Sequence, residues 1–279
     1  LDQYGVPEFL NKRDAFLFKM YQAFGHHFDF IAIPIIKKRL RMDTSQVIIN
    51  EERPQLTKHL ATRFKEKIGQ NVNLLGEVVL GNEEADHRYH HYLEALESPD
   101  INYISVKISG IYAQTHALNY EESFPELVSR MSALYQKAID FPYTDEDGIK
   151  RSKFINLDME EYKDAHFTLR LFKAVLNLPQ FKNYSAGIVV QAYLPDAYDF
   201  QTELLEFAKA RIDGGGAPIK MRLVKGCNLE METVISSLKG WPNPIRPSKT
   251  EVDANYLCLL ERGLMPENAR VLHLGVASH

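Results

Sequence analysis

The sequence predicts an α/β protein: a (βα)8, TIM-like barrel, incomplete in this chain at about six strands and preceded by a helical arm. Three observations predict it. From about residue 72, short β-rich runs alternate with amphipathic helices. The runs start about 30 to 50 residues apart, as successive βαβ units do. Within most runs apolar and polar residues take opposite faces, with charge near the carboxyl end.

Residues 1–70 read as the arm and 71–279 as the barrel. In the arm, Leu17, Met20, Tyr21 and Phe24 form an apolar stripe at helical spacing, and Gln55 to Lys67 is a second helical stretch. The predicted strands are 72–79, 103–109, 153–159, 186–193, 218–225 and 269–277. Helix 83–97 carries the stripe Ala85, Tyr89, Tyr92, Leu93 and Leu96. Helix 160–178 carries Ala165, Leu169, Phe172 and Leu176, and helix 198–211 carries Phe200, Leu204, Phe207 and Ala208 before a stop at Gly214.

Repeated strand–helix units leave two architectures, an open doubly wound sheet or a barrel. Tyr103, Ser105 and Lys107 share one face against Ile104, Val106 and Ile108. Phe154, Asn156 and Asp158 oppose Ile155, Leu157 and Met159; Lys220 and Arg222 oppose Met221 and Leu223; His273 opposes Leu272 and Leu274. An open sheet needs apolar residues on both faces. A barrel packs helices outside and gathers reactive groups at its carboxyl-end mouth, which favours the barrel here.

The 279 residues are 45% hydrophobic and 25% charged, with a net charge of −4, so no basic field points to nucleic acid. Cys227 and Cys258 cannot build a disulfide framework, and a reducing cytoplasm is the expected compartment. No apolar run approaches the roughly 20 residues of a membrane span, and the start has no signal-peptide pattern. The chain opens on Leu1 and ends directly after an apolar run, so the expectation is a piece of a longer polypeptide.

Lys107, Asp158, Gln191, Arg222 and His279 each fall near the carboxyl end of a different strand. Converging Lys, Asp and Arg can bind an anionic, zwitterionic or phosphate-bearing ligand. The bland alternative is a structural Lys107–Asp158 ion pair. Arg222-Leu223-Val224-Lys225-Gly226-Cys227 puts two cations and a glycine at a strand-to-helix turn, suited to a diphosphate beside helix amides from about 228. An ordinary βα turn is the alternative. Ser248-Lys249-Thr250, opening the next helix, is a weaker candidate of the same kind.

Other features read as decoys. Gly214-Gly215-Gly216 lacks the Lys-Ser/Thr of a P-loop. Asp86, His87, His90 and His91 lie off their helix's apolar stripe, which suits a solvated face better than a metal site. His26-His27 has no partner at ligand spacing, and Asp145-Glu146-Asp147-Gly148 reads as a turn. Cys227 reads as a small packing residue rather than a reactive thiol. No metal site is expected.

At these same residues the chain resembles the proline dehydrogenase family. The matching segments are Asn73-Leu74-Leu75-Gly76-Glu77, Ser105-Val106-Lys107-Ile108-Ser109, Asn156-Leu157-Asp158-Met159-Glu160-Glu161, Val190-Gln191-Ala192-Tyr193, Arg222-Leu223-Val224-Lys225-Gly226 and Ala277-Ser278-His279. Gly240-Trp241-Pro242 through Glu251-Val252-Asp253-Ala254-Asn255-Tyr256 is similar to the bacterial bifunctional branch, fused to an aldehyde dehydrogenase.

The resemblance implies a distorted barrel holding FAD non-covalently and oxidising L-proline to Δ1-pyrroline-5-carboxylate, the first step of proline catabolism. Electrons would pass to a quinone at the membrane surface, from a cytoplasmic enzyme peripheral to the inner membrane face. Lys107 would pair with the proline carboxylate and Asp158 would orient the substrate pocket. Gln191, Arg222, Lys225, Gly226, Lys249, Thr250 and His279 would hold FAD, with Cys227 in the same turn on the cofactor side. Two departures stand out. Cys227-Asn228 replaces the Ala-Tyr of many members, and the family's two carboxylate-binding arginines, on the final barrel helix, have no counterpart here. Two other readings stay open: a Schiff-base lyase or aldolase using Lys107, and a degenerate barrel kept as a scaffold.

Overall fold

The computed structural model describes residues 12, 15–16, 18–20, 29–44, 48–49, 53–74, 79, 81–113, 115 and 117–277. The chain divides into two compact units, Leu1–Thr62 and Arg63–His279. In the first, helix α1 (Asp29–Thr44) carries Pro34 inside it. Helix α2 (Arg53–Lys65) begins there and ends in the second unit. Of the predicted stripe, Met20 is exposed; Leu17, Tyr21 and Phe24 lie outside the described residues, as do His26 and His27.

Among the described residues, the second unit is built on six parallel strands. These are β1 (Val72–Asn73), β2 (Tyr103–Lys107), β5 (Phe154–Asp158), β6 (Gly187–Gln191), β7 (Ile219–Val224) and β8 (Leu272–Val276). Their spatial order β1-β2-β5-β6-β7-β8 follows the chain and never reverses. An open doubly wound sheet reverses its order at a switch point, and right-handed crossovers then place helices on both faces. Here every crossover runs the same way, so the helices collect on one face and leave the other as an interior. Among the described residues β1 and β8 do not pair, so the sheet does not close.

Burial follows from this winding. The helix-facing residues Ile104, Val106, Ile155, Leu157, Ile188, Val190, Ile219, Met221 and Leu223 are each at most 1% exposed. Against them pack α3 (Asn82–Glu97), α5 (Tyr120–Asp140) and α7 (Ala197–Asp213), and α6 (Tyr162–Leu176) packs on α5. Most of the predicted stripe residues are buried: Ala85, Tyr92 and Leu96, then Ala165, Leu169, Phe172 and Leu176, then Phe200, Leu204 and Ala208, while Tyr89, Leu93 and Phe207 are only half-buried.

Several boundaries differ from expectation. The run 103–109 stops as a strand at Lys107, because Ile108–Ile111 turns at once into the short helix α4. The run 269–277 begins as a strand only at Leu272, since Pro266–Ala269 is helical (α10) with its proline in the first turn. Helix α5 is not among the three marked in the sequence, although Leu127, Met131, Leu134, Tyr135 and Ala138 form its buried face at helical spacing. After it, Tyr143–Thr144 (β3) and Lys150–Arg151 (β4) make a small antiparallel hairpin. Asp145 Oδ1 accepts from the amides of Asp147 (3.0 Å) and Ile149 (2.9 Å), so Asp145–Gly148 is the predicted turn.

One buried cation ties the site-bearing strands together from below. Arg211, near the end of α7, donates to the carbonyls of Phe181, Lys182 and Tyr184 at 3.1 Å each, and to that of Leu176. These carbonyls belong to the segment that leads into β6, while Gly214 ends α7 ahead of β7. Burial lowers the Arg211 pKa, and the carbonyls take the place of water.

Candidate active site

The inward residues stack in rungs set by strand register. Ser105 aligns with Asn156, Asn156 with Gly187, Gly187 with Lys220, and Lys220 with His273. Toward the carboxyl ends, Lys107 aligns with Asp158, while Arg222 aligns with Val189 and Gly275. Below lies an aromatic floor. Tyr103 and Phe154 meet edge to face at 5.0 Å, and Lys220 Nζ lies 5.8 and 5.5 Å from their ring centroids. Gly187 is required there, since a Cβ would come within 2.5 Å of Asn156 Oδ1.

Asp158 is the hub. Its Oδ1 accepts from Asn156 Nδ2 at 2.9 Å, from Ser105 Oγ at 3.1 Å and from Arg222 Nη2. Ser105 is itself held by Asn71 Nδ2 at 2.8 Å. Burial raises the Asp158 pKa, and Arg222, then Asn156, Ser105 and Lys107, oppose it. The expected neighbours Lys107 and Asp158 do share a rung, but they are not the ion pair. Asp158 pairs with Arg222, while Lys107 Nζ lies 3.5 Å from Glu160 Oε1. Glu160 continues the inward face two residues beyond Asp158, and sequence reasoning gave it no role.

The turns above the rungs are clamped to one another. Gln191 Nε2 donates to the Glu160 carbonyl at 2.9 Å, and its Oε1 is buried with no partner among the described residues. The amides of Ala192 and Tyr193 donate to the carbonyls of Val224 and Lys225, both at 2.8 Å. Asn255, in α9 (Lys249–Leu264), donates to the Ala192 carbonyl at 2.8 Å. Gly226 takes φ +132°, and a Cβ there would lie 2.5 Å from the Tyr193 ring. This turn leads to α8 (Leu229–Lys239), where Glu232 accepts from the Tyr162 amide at 2.6 Å. Glu232 therefore caps α6 from 70 residues away, a link with no local signature; burial raises its pKa.

Lys225 and Lys249, both predicted, converge on one carboxylate. Each donates to Asp253 at 2.6 Å, and this pair of cations lowers the Asp253 pKa. Ser248 caps α9 by accepting from the Glu251 amide at 3.2 Å, with Thr250 exposed in the first turn. Two lysines on one aspartate leave a net positive charge beside a helix N-terminus, which fits a diphosphate. The orphaned Gln191 Oε1, a buried acceptor on the mouth side, fits a ligand that donates hydrogen bonds, as a flavin ring does.

Cys227 is exposed, with Sγ 3.5 Å from Asn228 Oδ1, which corrects its reading as a packing residue. The strand has already ended at Val224, so Cys227 lies in the turn ahead of α8 rather than on a face that packs into the core. His279 lies outside the described residues. His90 contacts the Asp86 carbonyl of its own helix at 2.6 Å, and the His87 and His91 rings lie 4.3 Å apart. Among the described residues no cluster of three or more metal-ligating side chains occurs, and no helix is long and apolar enough to cross a membrane.

The proline dehydrogenase family profile matches residues 56–279. Among solved structures, the chain is similar to proline utilization A (PutA) from Corynebacterium freiburgense, at 37% identity and a TM-score of 0.79. That match covers 98% of this chain and 27% of the other. It is also similar to PutA from Bdellovibrio bacteriovorus inactivated by N-propargylglycine, at 31% identity and a TM-score of 0.68, over 80% of this chain and 24% of that one. A Bradyrhizobium japonicum PutA mutant, 24% identical with a TM-score of 0.62 over 75% of this chain and 21% of that one, shares the fold. The chain thus spans about a quarter of the length of these solved chains. None of the curated proteins compared matches it.

Proposed function

The chain belongs to the proline dehydrogenase family, and on that premise we propose that its second unit carries the site where L-proline is oxidised to Δ1-pyrroline-5-carboxylate, with FAD bound non-covalently. The observation that carries the reading is the convergence of Lys107, Asp158, Gln191 and Arg222, from four parallel strands, at one end of one face. A zwitterion and an anionic cofactor both need cations held in a partly water-excluded mouth, which a surface ion pair does not supply.

FAD, when bound, supplies the acceptor for two electrons and a proton. The residues do the rest. Lys107 pairs with the substrate carboxylate and fixes the ring's orientation. Asp158, held by Asn156, Ser105 and Arg222, shapes the pocket beside it. Arg222 offers a cation where negative charge grows during the reaction. Gln191 and the Lys225-Gly226-Cys227 turn line the cofactor side, with Lys249, Thr250 and His279 in the same role. Positioning and desolvation carry the rate, since an amino acid that enters with its amine unprotonated needs no general base at its nitrogen.

A Schiff-base lysine is activated by an apolar pocket or a second cation. Lys107 has a carboxylate at 3.5 Å instead, which favours the dehydrogenase over the lyase. We further infer a cytoplasmic setting, a quinone acceptor at the inner membrane face and a fused aldehyde dehydrogenase that consumes the product. The test is the absorbance spectrum of the flavin-loaded protein. Proline should bleach the oxidised-flavin band, and a membrane quinone should restore it. A protein that takes up no flavin, or whose flavin proline does not bleach, would overturn the reading.

A further inference from the structure

Lys107 has three hydrogen-bonding directions and two carboxylates within electrostatic reach. One is Asp158, on the same rung, whose titration it influences. The other is Glu160, 3.5 Å away. The two are held differently. Asp158 is already taken up by Arg222, Asn156 and Ser105 deeper in the interior. Glu160 stands beyond the end of β5 and is fixed at both of its ends. Its Oε2 accepts from Ser109 Oγ at 2.5 Å, and its main-chain carbonyl accepts from Gln191 at 2.9 Å.

We propose that Glu160 is the positioning residue for Lys107: tethered by Ser109, it holds the ammonium at the mouth, where a substrate carboxylate meets it, and keeps it from turning inward to Asp158. This rests on the reading of Lys107 as the carboxylate-binding cation. A free lysine side chain carries considerable rotamer entropy, so a cation that must wait for its ligand gains from a fixed counter-charge. The contact at 3.5 Å exceeds an ordinary N–H···O bond, so the ammonium's donors remain available to a second carboxylate. Glu160 cannot swing in to compete with the ligand, because Ser109 restrains its other oxygen. The motif is thus Ser109, Glu160 and Lys107 in series, from two adjacent strand ends.

Glu160→Gln keeps the shape and removes the charge. In the flavin-loaded enzyme it should raise KM for proline roughly three- to tenfold, with kcat changed less than about twofold. The Kd of cyclopentanecarboxylate, measured by calorimetry, should rise by a similar factor. KM for prolinamide, which has no carboxylate charge, should stay as it was. Ser109→Ala should shift proline KM the same way by a smaller factor, and this milder change keeps the idea testable should Glu160→Gln fold poorly. In a Lys107→Ala background, Glu160→Gln should add nothing. If Lys107→Ala raises KM and Kd while Glu160→Gln leaves both unchanged or lowers them, the positioning role is overturned and the role of Lys107 survives. If Lys107→Ala itself changes neither, the carboxylate clamp is wrong, and Glu160 has nothing to position.

Discussion

Arg222 reaches past β6 to hydrogen-bond Asp158, so the third and fifth strands of the sheet are joined through the interior rather than through their backbones. The intervening strand permits it because its inward residue on that rung is Val189, not a polar side chain. Electrostatically the pair is a compromise. Burial pushes the Asp158 carboxyl up, and the guanidinium pulls it back.

Removing that guanidinium should therefore cost both stability and cofactor. Arg222→Met leaves a buried carboxylate without its cation. That costs on the order of 2–3 kcal/mol, below the range for fully buried pairs because Arg222 keeps partial solvent contact. A raised carboxyl pKa makes the folded state the better proton binder, so stability is present below the unfolded value of 3.8 and is lost as pH rises through the folded value. The deficit of Arg222→Met relative to the parent should accordingly shrink as pH falls toward 4, and adding Asp158→Asn should recover part of it at neutral pH. Urea midpoints across pH check this. Flavin content, compared with exposed Lys209→Met, checks the cofactor role.

Lys107→Ala should raise KM for proline and leave the flavin spectrum nearly intact. One charge-assisted contact is worth about 1.5–3 kcal/mol, or roughly tenfold to over a hundredfold in KM. Steady-state kinetics with proline decide it, and an unchanged KM would count against the clamp.

Gly226→Ala should damage the turn twice over. The backbone at φ +132° suits glycine alone, and the new methyl would press on the Tyr193 ring. A loss of about 1–3 kcal/mol is expected from the strain, together with weaker flavin retention. Thermal unfolding and the flavin-to-protein ratio report the two effects. Gly148→Ala, at φ +77° with open space around it, should show strain without loss of flavin.

Lys153 gives a pH signature far from the mouth. It is 2% exposed, donates to the Ser98 carbonyl at 2.5 Å, and burial lowers its pKa to about 8. A depressed lysine pKa means that the unfolded chain binds the extra proton. Stability from this residue is therefore lowest at neutral pH and returns as pH rises from about 8 toward 10.5. Relative to Lys153→Met, the parent should gain up to about 3 kcal/mol across that window. Paired denaturation curves at pH 7 and pH 10 should show the gap moving in the parent's favour.

What could be read from the sequence was what repeats every two or every 3.6 residues. Ile219, Met221 and Leu223 are buried while Lys220, Arg222 and Val224 are less so, and that alternation is legible in the sequence. The same holds for the stripe from Ala165 to Leu176. The partner of each charge was not readable. Nothing in the spacing says that Lys107 meets Glu160 rather than Asp158, although Glu160 at two residues past Asp158 continues the same face. The hold of Glu232 on the Tyr162 amide depends on how two turns meet, and it leaves no periodic trace.

The alternation along β7 also means that its inward cations cannot be misplaced on their own. A slip of one residue would turn Lys220 and Arg222 toward the helices and bring Met221 and Leu223 into the mouth. Two cations would then be sealed in hydrocarbon, and the packing layer would be lost together with the Arg222–Asp158 pair. Folding thereby proofreads the chemistry: a chain whose seventh strand is out of step should be rejected as misfolded long before it could persist as a stable but inert enzyme.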